Sequence, residues 1–287
     1  MQNYLKAFTR FVIWAYLNGM SWLSYDVLDD LVIDYADAII SNRGDFSLLI
    51  SALHFVYPRV KGKLVASYAY RAGWLKSVSV NRTVPMLKSF TYGIAKEINS
   101  VVGARMAIGL LVQYEGLLRT AELIAIRKRN VVLPEWHGYC NRYAYITLDK
   151  TKSGREQVVC IRDVYVVAAL RYVVSVTAAP DALLFNRTYQ QYYDLLSEAC
   201  KRLGLGHLRF TPHSPRAGGA TQRVMDGEAF SEVQESGRWK CAESLRIYLD
   251  RAKALATGTI TSGCSFLNLL AQPNLIGNIF LFSPINP

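Results

Sequence analysis

Residues 213–220 read HSPRAGGA and place a histidine and an arginine on either side of a Ser-Pro step. Serine before proline is typical of a helix start, with Ser214 as N-cap and Pro215 in the first helical position, where its missing N–H costs nothing. A helix N-terminus carries unpaired N–H donors and partial positive charge, which favour a phosphate. We therefore expect His213 and Arg216 to face an anion and the small residues to allow close packing. An isolated H-x-x-R pattern is more often an ordinary helix cap, so the rest of the chain has to decide.

The composition of the whole chain indicates a basic globular protein. It has 287 residues, of which 51% are hydrophobic, and a formal net charge of +11. This length allows one large domain or two smaller ones, and the apolar content is sufficient for a core. A positive net charge favours an acidic partner, most often nucleic acid.

The cysteines, the histidines and the N-terminus narrow the class further. The five cysteines form no C-x-x-C pair, and the four histidines fall in no metal-ligand pattern with them. We therefore expect reduced thiols in an intracellular compartment and no metal site. The N-terminus lacks the charged, apolar and small-residue regions that follow one another in a signal peptide. Polar residues interrupt the apolar stretch 266–282, so no membrane span is expected.

The first part of the chain, residues 1–83, has apolar residues at helical spacing and predicts a small helical bundle. One such helix covers residues 25–40, with Asp26, Asp29 and Asp30 in its first turn, where the helix dipole favours acids. The segment 81–85 reads NRTVP, which is typical of a connector, and we place the domain boundary there.

Between Asp45 and Glu97 the chain contains no acidic residue. A solvated basic face is the simpler interpretation of such a run. A stretch of this length, interleaved with tyrosine and tryptophan, better fits a surface that neutralises DNA phosphates. The predicted DNA-binding residues are Arg59, Lys61, Lys63, Arg71, Lys76 and Arg82.

The second part, residues 84–287, is predicted to be mostly α-helical with one small sheet. Segments 131–133, 143–148 and 157–161 are short and rich in β-branched and aromatic residues, and turn residues separate them. They predict a three-stranded antiparallel sheet. Helical spacing covers 86–98 and 105–118 before the sheet, and helices are expected again from 164, over 189–202, from 215 and from 242.

Six residues scattered along the chain have the chemistry that attack on a phosphodiester requires. A tyrosine oxygen can act as nucleophile, guanidinium groups can bind the non-bridging oxygens, and a lysine can protonate the departing sugar oxygen. In chain order the six are Arg119, Lys152, His213, Arg216, Trp239 and Tyr248.

In order and spacing these residues resemble the tyrosine site-specific recombinases of the phage integrase family, and the last third is Cre-like. The segment LLRTAEL at 117–123 resembles the family's box around its first arginine, with Glu122 three residues after Arg119. Tyr248 follows Trp239 by nine residues, as the family's nucleophile follows its histidine or tryptophan. The resemblance covers about 85–253, and the GRWK form also resembles recombinases of eukaryotic mobile elements.

The resemblance implies a fold and a role for each residue. It implies a helical core-binding domain (1–83) and a catalytic domain (84–287) that close on DNA as a C-shaped clamp. Tyr248 would form a 3′-phosphotyrosyl link, Arg119 and Arg216 would stabilise the pentacoordinate phosphorus with help from the Trp239 indole, and His213 would be the base or proton shuttle. Lys152 would be the acid, Glu122 a structural support, and neither a metal nor ATP would be needed.

The sequence leaves alternatives open for the catalytic lysine, the tyrosine and the remaining arginines. Lys150 lies two residues from Lys152 on the same strand face, and alternation does not separate them, although the hairpin position favours Lys152. Tyr248 shares a helical face with apolar residues, so a core tyrosine is its alternative. The remaining arginines, Arg155, Arg187 and Arg238, are expected to be phosphate contacts or solvated residues.

The sequence thus predicts an intracellular enzyme, nuclear in a eukaryote, that recombines double-stranded DNA at specific sites as a homotetramer and is a monomer or dimer when free. The apolar tail, about 255–287, is a candidate subunit contact through 266–282. Two alternatives stay open, namely a nicking-closing enzyme of the type IB topoisomerase kind and a silent DNA-binding relative.

Overall fold

The computed structural model describes residues 2–77, 83–134, 142–149, 157–243, 245–250 and 252, with side chains from 75 to 77 excepted. The chain divides into two compact units, Met1–Arg82 and Thr83–Pro287. Several predictions fall outside the described residues. They concern Lys150, Lys152, Arg155, Arg82, the Lys76 side chain and the apolar tail.

The first unit is a bundle of helices, as the helical spacing predicts. Its helices are α1 (Gln2–Leu17), α2 (Tyr25–Ile39), α3 (Arg43–Val56) and α4 (Val65–Ser77). Phe11, Val32, Phe46 and Leu53 are fully buried and bring α1, α2 and α3 together around one core. Their aliphatic and aromatic surface is the main source of stability in this unit.

Asp29 has a different role from the one its position in α2 suggested. Its carboxylate is buried and accepts the backbone N–H groups of Ala66 at 2.7 Å and Ser67 at 2.9 Å, in the first turn of α4. A carboxylate at this place satisfies N–H groups that have no partner within the helix. Asp29 therefore joins α2 to α4 instead of stabilising the start of its own helix.

The second unit contains the remaining elements. These are α5 (Lys88–Val102), α6 (Ala104–Glu115), α7 (Thr120–Ala125), β1 (Val131–Val132), β2 (Ala144–Leu148), β3 (Gln157–Ile161), α8 (Val164–Ser175), α9 (Tyr189–Arg202), α10 (Ser214–Met225) and α11 (Phe230–Ser236). Residues 245–250 are also helical. Within the described ranges, no helix has both the length and the apolar character that crossing a membrane requires.

The small sheet confirms the prediction made from the β-branched segments. Its strand order is β1-β2-β3, and both pairs are antiparallel. In β2, Ala144, Ile146 and Leu148 are buried and alternate with more exposed residues, which is the pattern of a sheet with one face on the core. The predicted fold, mostly α with one three-stranded antiparallel sheet, is therefore confirmed.

A buried polar network fixes the segment that enters α10. Gln113 on α6 donates from Nε2 to the Pro212 carbonyl at 2.7 Å, and the Thr120 hydroxyl donates to the same carbonyl at 2.8 Å. The Tyr192 hydroxyl on α9 donates to Gln113 Oε1 at 2.7 Å. Because each polar group here has a partner, three helices together set the position of the residue before His213.

The start of α10 differs by one residue from the prediction. His213 is the N-cap and the helix begins at Ser214, so Ser214 is not the cap. The Ser214 hydroxyl instead accepts the Thr211 N–H at 2.9 Å, inside the preceding turn. Pro215 still lies in the first turn, where proline needs no N–H partner.

The glycines of α10 confirm the predicted close packing. A Cβ on Gly218 would lie 1.7 Å from the Met86 carbonyl oxygen, and one on Gly219 would lie 2.2 Å from the Tyr114 carbonyl oxygen. Backbone therefore approaches α10 from the segment before α5 and from α6. Only glycine leaves room for this approach.

Replacing Gly218 by alanine is expected to destabilise the protein by at least about 1–3 kcal/mol, because the added methyl group displaces packed backbone. Gly73→Ala is the matched control, since Gly73 also lies in a helix but has open space around its Cα. That control is expected to gain about 0.5–1 kcal/mol. Urea unfolding followed by circular dichroism measures both, and equal effects would contradict the packing.

Candidate active site

Arg119 lies at a break between two helices. The helix α6 ends at Glu115, earlier than the predicted 105–118 stripe, and Leu117 takes a left-handed conformation with φ of 48°. Arg119 then precedes α7, and its backbone N–H donates to Glu122 Oε2 at 2.8 Å. Its Nη1 pairs with Glu122 Oε1 at 2.6 Å. The side chain is held by Glu122 yet stays 29% exposed.

The Glu122 carboxylate is buried and pairs with a second arginine. Arg238 Nη2 lies 2.7 Å from Glu122 Oε2. Burial acts to raise the pKa of the Glu122 carboxyl, but the charge of Arg238 and the bonds from Arg119 outweigh it and lower the pKa below its usual value. Glu122 is therefore ionised at neutral pH and connects the two guanidinium groups.

Arg216 is the most deeply buried guanidinium of the site. It is 5% exposed on α10, and it donates from Nη1 to the Leu117 carbonyl and from Nη2 to the Gly237 carbonyl. Burial and the neighbouring charges of Arg119 and Arg238 lower its pKa to about 9, and it stays protonated at neutral pH. Two backbone acceptors thus hold a fixed positive charge at the N-terminus of α10.

Trp239 contacts both Arg216 and Tyr248. The Arg216 Cζ lies 4.2 Å from the centre of the indole ring, which is a cation–π contact, and the Tyr248 ring centre lies 6.2 Å from it in an edge-to-face arrangement. Tyr248 is half-buried and packs against the small cluster of Leu117, Ala220, Val233 and Leu245. The tyrosine is therefore on the edge of a core and beside a guanidinium.

His213 is the N-cap of α10, the helix that carries Arg216. Its side chain reaches solvent, with its ring centre 6.5 Å from that of Tyr189. Partial burial and the charges of Arg216 and Arg119 lower its pKa below the usual histidine value. The imidazole is therefore neutral at pH 7 and able to accept a proton.

For Arg238, the expectation of a solvated residue is wrong, and the alternative expectation of a phosphate contact stays a prediction. Arg238 is not solvated, since its side chain is 10% exposed and pairs with Glu122. Its φ of 60° is in the left-handed region, which no sequence pattern signalled. The available signal was its position between Gly237 and Trp239, next to a residue already assigned to the site. Arg187, by contrast, is exposed as expected.

The predicted DNA-binding residues lie in the first unit. Arg59, Lys61 and Lys63 are exposed between α3 and α4, and Arg71 lies over the Tyr68 ring at 5.1 Å. Among the interleaved aromatic residues, Tyr70 and Trp74 pack on Phe46 in the bundle. The three cationic side chains between α3 and α4 are therefore open to solvent, whereas the rings of Tyr70 and Trp74 pack on the core of the bundle.

Residues 92–254 match the sequence profile of the Phage integrase family. The chain belongs to this family. It is a tyrosine recombinase, a site-specific DNA recombinase that cleaves and rejoins DNA, and neither the topoisomerase nor the silent-relative alternative is favoured. No curated protein sequence matches the chain.

Solved structures agree with the fold. A lambda integrase dimer bound to a COC′ core site is 12% identical with a TM-score of 0.55, over 87% of this chain and 71% of that one. The Tn1549 transposon integrase in complex with a circular intermediate DNA is 12% identical with a TM-score of 0.54, over 82% and 85%. The XerH recombinase bound to difH is 14% identical with a TM-score of 0.51, over 79% and 67%. Nothing among these relatives supports the eukaryotic mobile-element type.

The lowered pKa of His213 can be tested in solution. We expect a ¹H–¹³C NMR titration to give the His213 imidazole a pKa below 6.5, with the His213 signal identified by its loss in His213→Gln. The variant Arg119→Gln should raise the pKa of His213, because it removes a nearby positive charge. Arg202→Gln, at the exposed end of α9, is the control and leaves it unchanged. Because the folded pKa is the lower one, this residue's contribution to stability is lost as the pH falls below 6.5. A pKa of 6.5 or above would contradict the electrostatic effect.

Proposed function

We propose that Tyr248 is the nucleophile of DNA strand cleavage and that Arg119 and Arg216 bind the scissile phosphate. The observation that carries this proposal is the shared contact on Trp239, which puts the Arg216 guanidinium and the Tyr248 ring against the same indole. The Tyr248 oxygen forms a bond to phosphorus, and the bond from phosphorus to the 5′ oxygen breaks. The product is a 3′-phosphotyrosyl link and a free 5′-hydroxyl, and attack by that hydroxyl reverses the step.

The arginines supply the charge that the transition state needs. Arg216 uses one N–H of each terminal nitrogen on backbone carbonyls, which leaves further N–H groups on the same plane for phosphate oxygens. Arg119 is partly exposed and fixed by Glu122, so it is oriented before DNA arrives. Charges fixed in advance stabilise a developing negative charge without reorganisation.

Proton transfer is assigned to His213 and Lys152. The neutral His213 imidazole accepts the proton of the Tyr248 hydroxyl, directly or through water, because its pKa is lowered by burial and the neighbouring arginines. Lys152 protonates the departing 5′ oxygen, and the Trp239 indole N–H assists in binding the phosphate. The reaction needs no metal, because the cationic side chains stabilise the negative charge. It needs no ATP, because the phosphotyrosyl link retains the energy of the broken phosphodiester.

The finer biological assignments belong to the same proposal. The first unit is the core-binding domain and the second the catalytic domain, and both bind DNA. Four copies act on two duplexes, with the apolar tail as the contact between subunits. The enzyme works inside the cell and serves a mobile element.

Cleavage is tested with nicked duplexes that tile the DNA flanking the coding region, where inverted repeats would mark the target. We expect wild-type protein to form a covalent adduct on a denaturing gel and Tyr248→Phe to form none. Arg119→Ala and Arg216→Ala are expected to lose cleavage while keeping most DNA affinity, because each removes charge from the transition state. Losing one such group lowers the rate by roughly 10²–10³-fold.

A Tyr248→Phe variant that still forms the adduct would overturn the assignment of the nucleophile. Tyr172→Phe is the matched control, since Tyr172 is an exposed tyrosine on α8 and its loss should leave the adduct unchanged. Recombination is supported if recombined DNA forms only when two target sites are present and if analytical ultracentrifugation detects a tetramer on the DNA. Relaxation of supercoiled plasmid by a monomer would instead favour the topoisomerase activity.

The basic surface of the first unit makes a separate prediction about salt. Lys61→Ala and Lys63→Ala are each expected to reduce the slope of log affinity against log salt by about 0.9, the value for one lost phosphate contact. Both lysines are exposed in the acid-free stretch. The control Lys6→Ala, in a cleft that also includes Asp45, is expected to leave the slope unchanged. Fluorescence anisotropy across salt concentrations measures it, and unchanged slopes for both lysines would contradict the interface.

A further inference from the structure

Arg238 is the third guanidinium of the site and has no role in the mechanism above. We propose that Arg238 is a positioning residue for strand cleavage, which ties the turn that carries Trp239 to the loop that carries Arg119. This inference rests on the proposed function, because it concerns the residues assigned there to phosphate binding and attack.

The contacts of Arg238 join two segments that are far apart in sequence. Its Nη2 donates to Glu122 Oε2 at 2.7 Å and to the Leu117 carbonyl at 3.2 Å. Its own carbonyl accepts Arg119 Nη2 at 3.5 Å. Side chain and backbone of Arg238 thus both bind the segment 117–122, called the loop here, which consists of the residues before α7 and the first turn of α7. The loop and the turn of residues 237–239 therefore form one hydrogen-bonded block.

The backbone of this block is strained on both sides. Leu117 and Arg238 have φ of 48° and 60°, and the only other described non-glycine residue with a positive φ is Arg209. Arg216 bridges the same two segments by donating to the carbonyls of Leu117 and Gly237. Strained residues persist where the surroundings over-determine them, and they cluster at functional sites.

The Arg238 side chain is also unfavourable in itself. It is 10% exposed, and within the described part of the chain its Nε and Nη1 are buried without a hydrogen-bond partner. Burial outweighs the attraction of Glu122 and lowers its pKa. A guanidinium kept in such a place despite unmet hydrogen bonds indicates a role in the site rather than in stability.

Removing Arg238 has a defined geometric consequence. Glu122 would keep only Arg119, and the turn of 237–239 would lose the two hydrogen bonds from the Arg238 side chain to the loop, while those from Arg119 and Arg216 remain. Trp239 would then be free to shift, and with it the surface that both Arg216 and Tyr248 contact. Because small misplacements of reacting groups slow catalysis strongly, the defect is expected in the chemical step and not in DNA binding.

The test is Arg238→Gly, because glycine accepts the left-handed turn while the whole side chain, with its guanidinium, is removed. With the nicked duplexes at saturating concentration, we expect adduct formation to slow on the order of 10²-fold in single turnover, with unchanged half-saturation. Millimolar guanidinium ion is expected to restore part of the rate by filling the vacated place. Arg209→Gly is the matched control, an exposed arginine with φ of 50°, and should keep the wild-type rate at saturation.

A pH profile gives a readout that general damage to the fold would not move. Arg238 is the strongest influence that lowers the Glu122 pKa, so this pKa should rise in Arg238→Gly. The ionised carboxylate holds Arg119, and therefore the rate in the variant should begin to fall at a higher pH than in the wild type as the solution is acidified. In the double variant Arg238→Gly with Glu122→Gln, position 122 has no carboxyl group to protonate. The fall in rate at higher pH should therefore be absent.

The outcomes separate the two proposals. If wild-type protein makes no Tyr248-dependent adduct, the proposed function fails. If the adduct is Tyr248-dependent and Arg238→Gly cleaves at the wild-type rate, the positioning role alone is wrong. A slow Arg238→Gly with neither guanidinium rescue nor a shifted pH profile would also overturn it, since the loss would then come from a damaged fold.

Discussion

The buried carboxylate of Glu122 is the interaction on which the rest of the site depends. It accepts the Arg119 backbone N–H, pairs with Arg119 Nη1 and pairs with Arg238 Nη2. Moving a carboxylate out of water costs several kcal/mol, and only good pairing offsets that cost. One anion between two cations satisfies this condition, and neither segment provides it alone. The loop of 117–122 and the turn of 237–239 must therefore fold together.

The cluster as a whole has more positive than negative charge. Arg119 and Arg238 pair with the Glu122 carboxylate, and Arg216 is bound only to backbone carbonyls. Burial and the neighbouring guanidinium groups lower the pKa of Arg216 and of Arg238. Such crowding is unfavourable in the free protein and favourable once an anion binds. The apolar cluster around Leu117 and Leu245 and the close packing of α10 hold the groups in place. In this way the fold gives the cluster, before DNA is present, the fixed excess of positive charge that the proposed phosphate-binding role requires.

Sequence patterns predicted the parts of this structure that depend on local periodicity. The three strands, the helix over 189–202 and the close packing at Gly218 follow from period, turn residues and side-chain size. They did not predict that Asp29 caps α4, that Arg238 is buried, or that α6 ends before Leu117. These features depend on partners far away in the chain, and a left-handed backbone at leucine or arginine has no local signature.

The triplet Gly237-Arg238-Trp239 acts as one structural unit. Its contacts explain in physical terms why a tryptophan fits at position 239. A Cβ on Gly237 would lie 1.6 Å from the indole ring, so only glycine lets the ring fold back over its own turn. A histidine there could become protonated and add charge beside three guanidinium groups, whereas an indole stays neutral and presents its π face to Arg216 at 4.2 Å. The glycine makes room, the arginine binds Glu122, and the tryptophan supports both Arg216 and Tyr248. A change at any one of the three therefore acts on the same arrangement of Arg216, Trp239 and Tyr248, to which the proposed function assigns phosphate binding and attack.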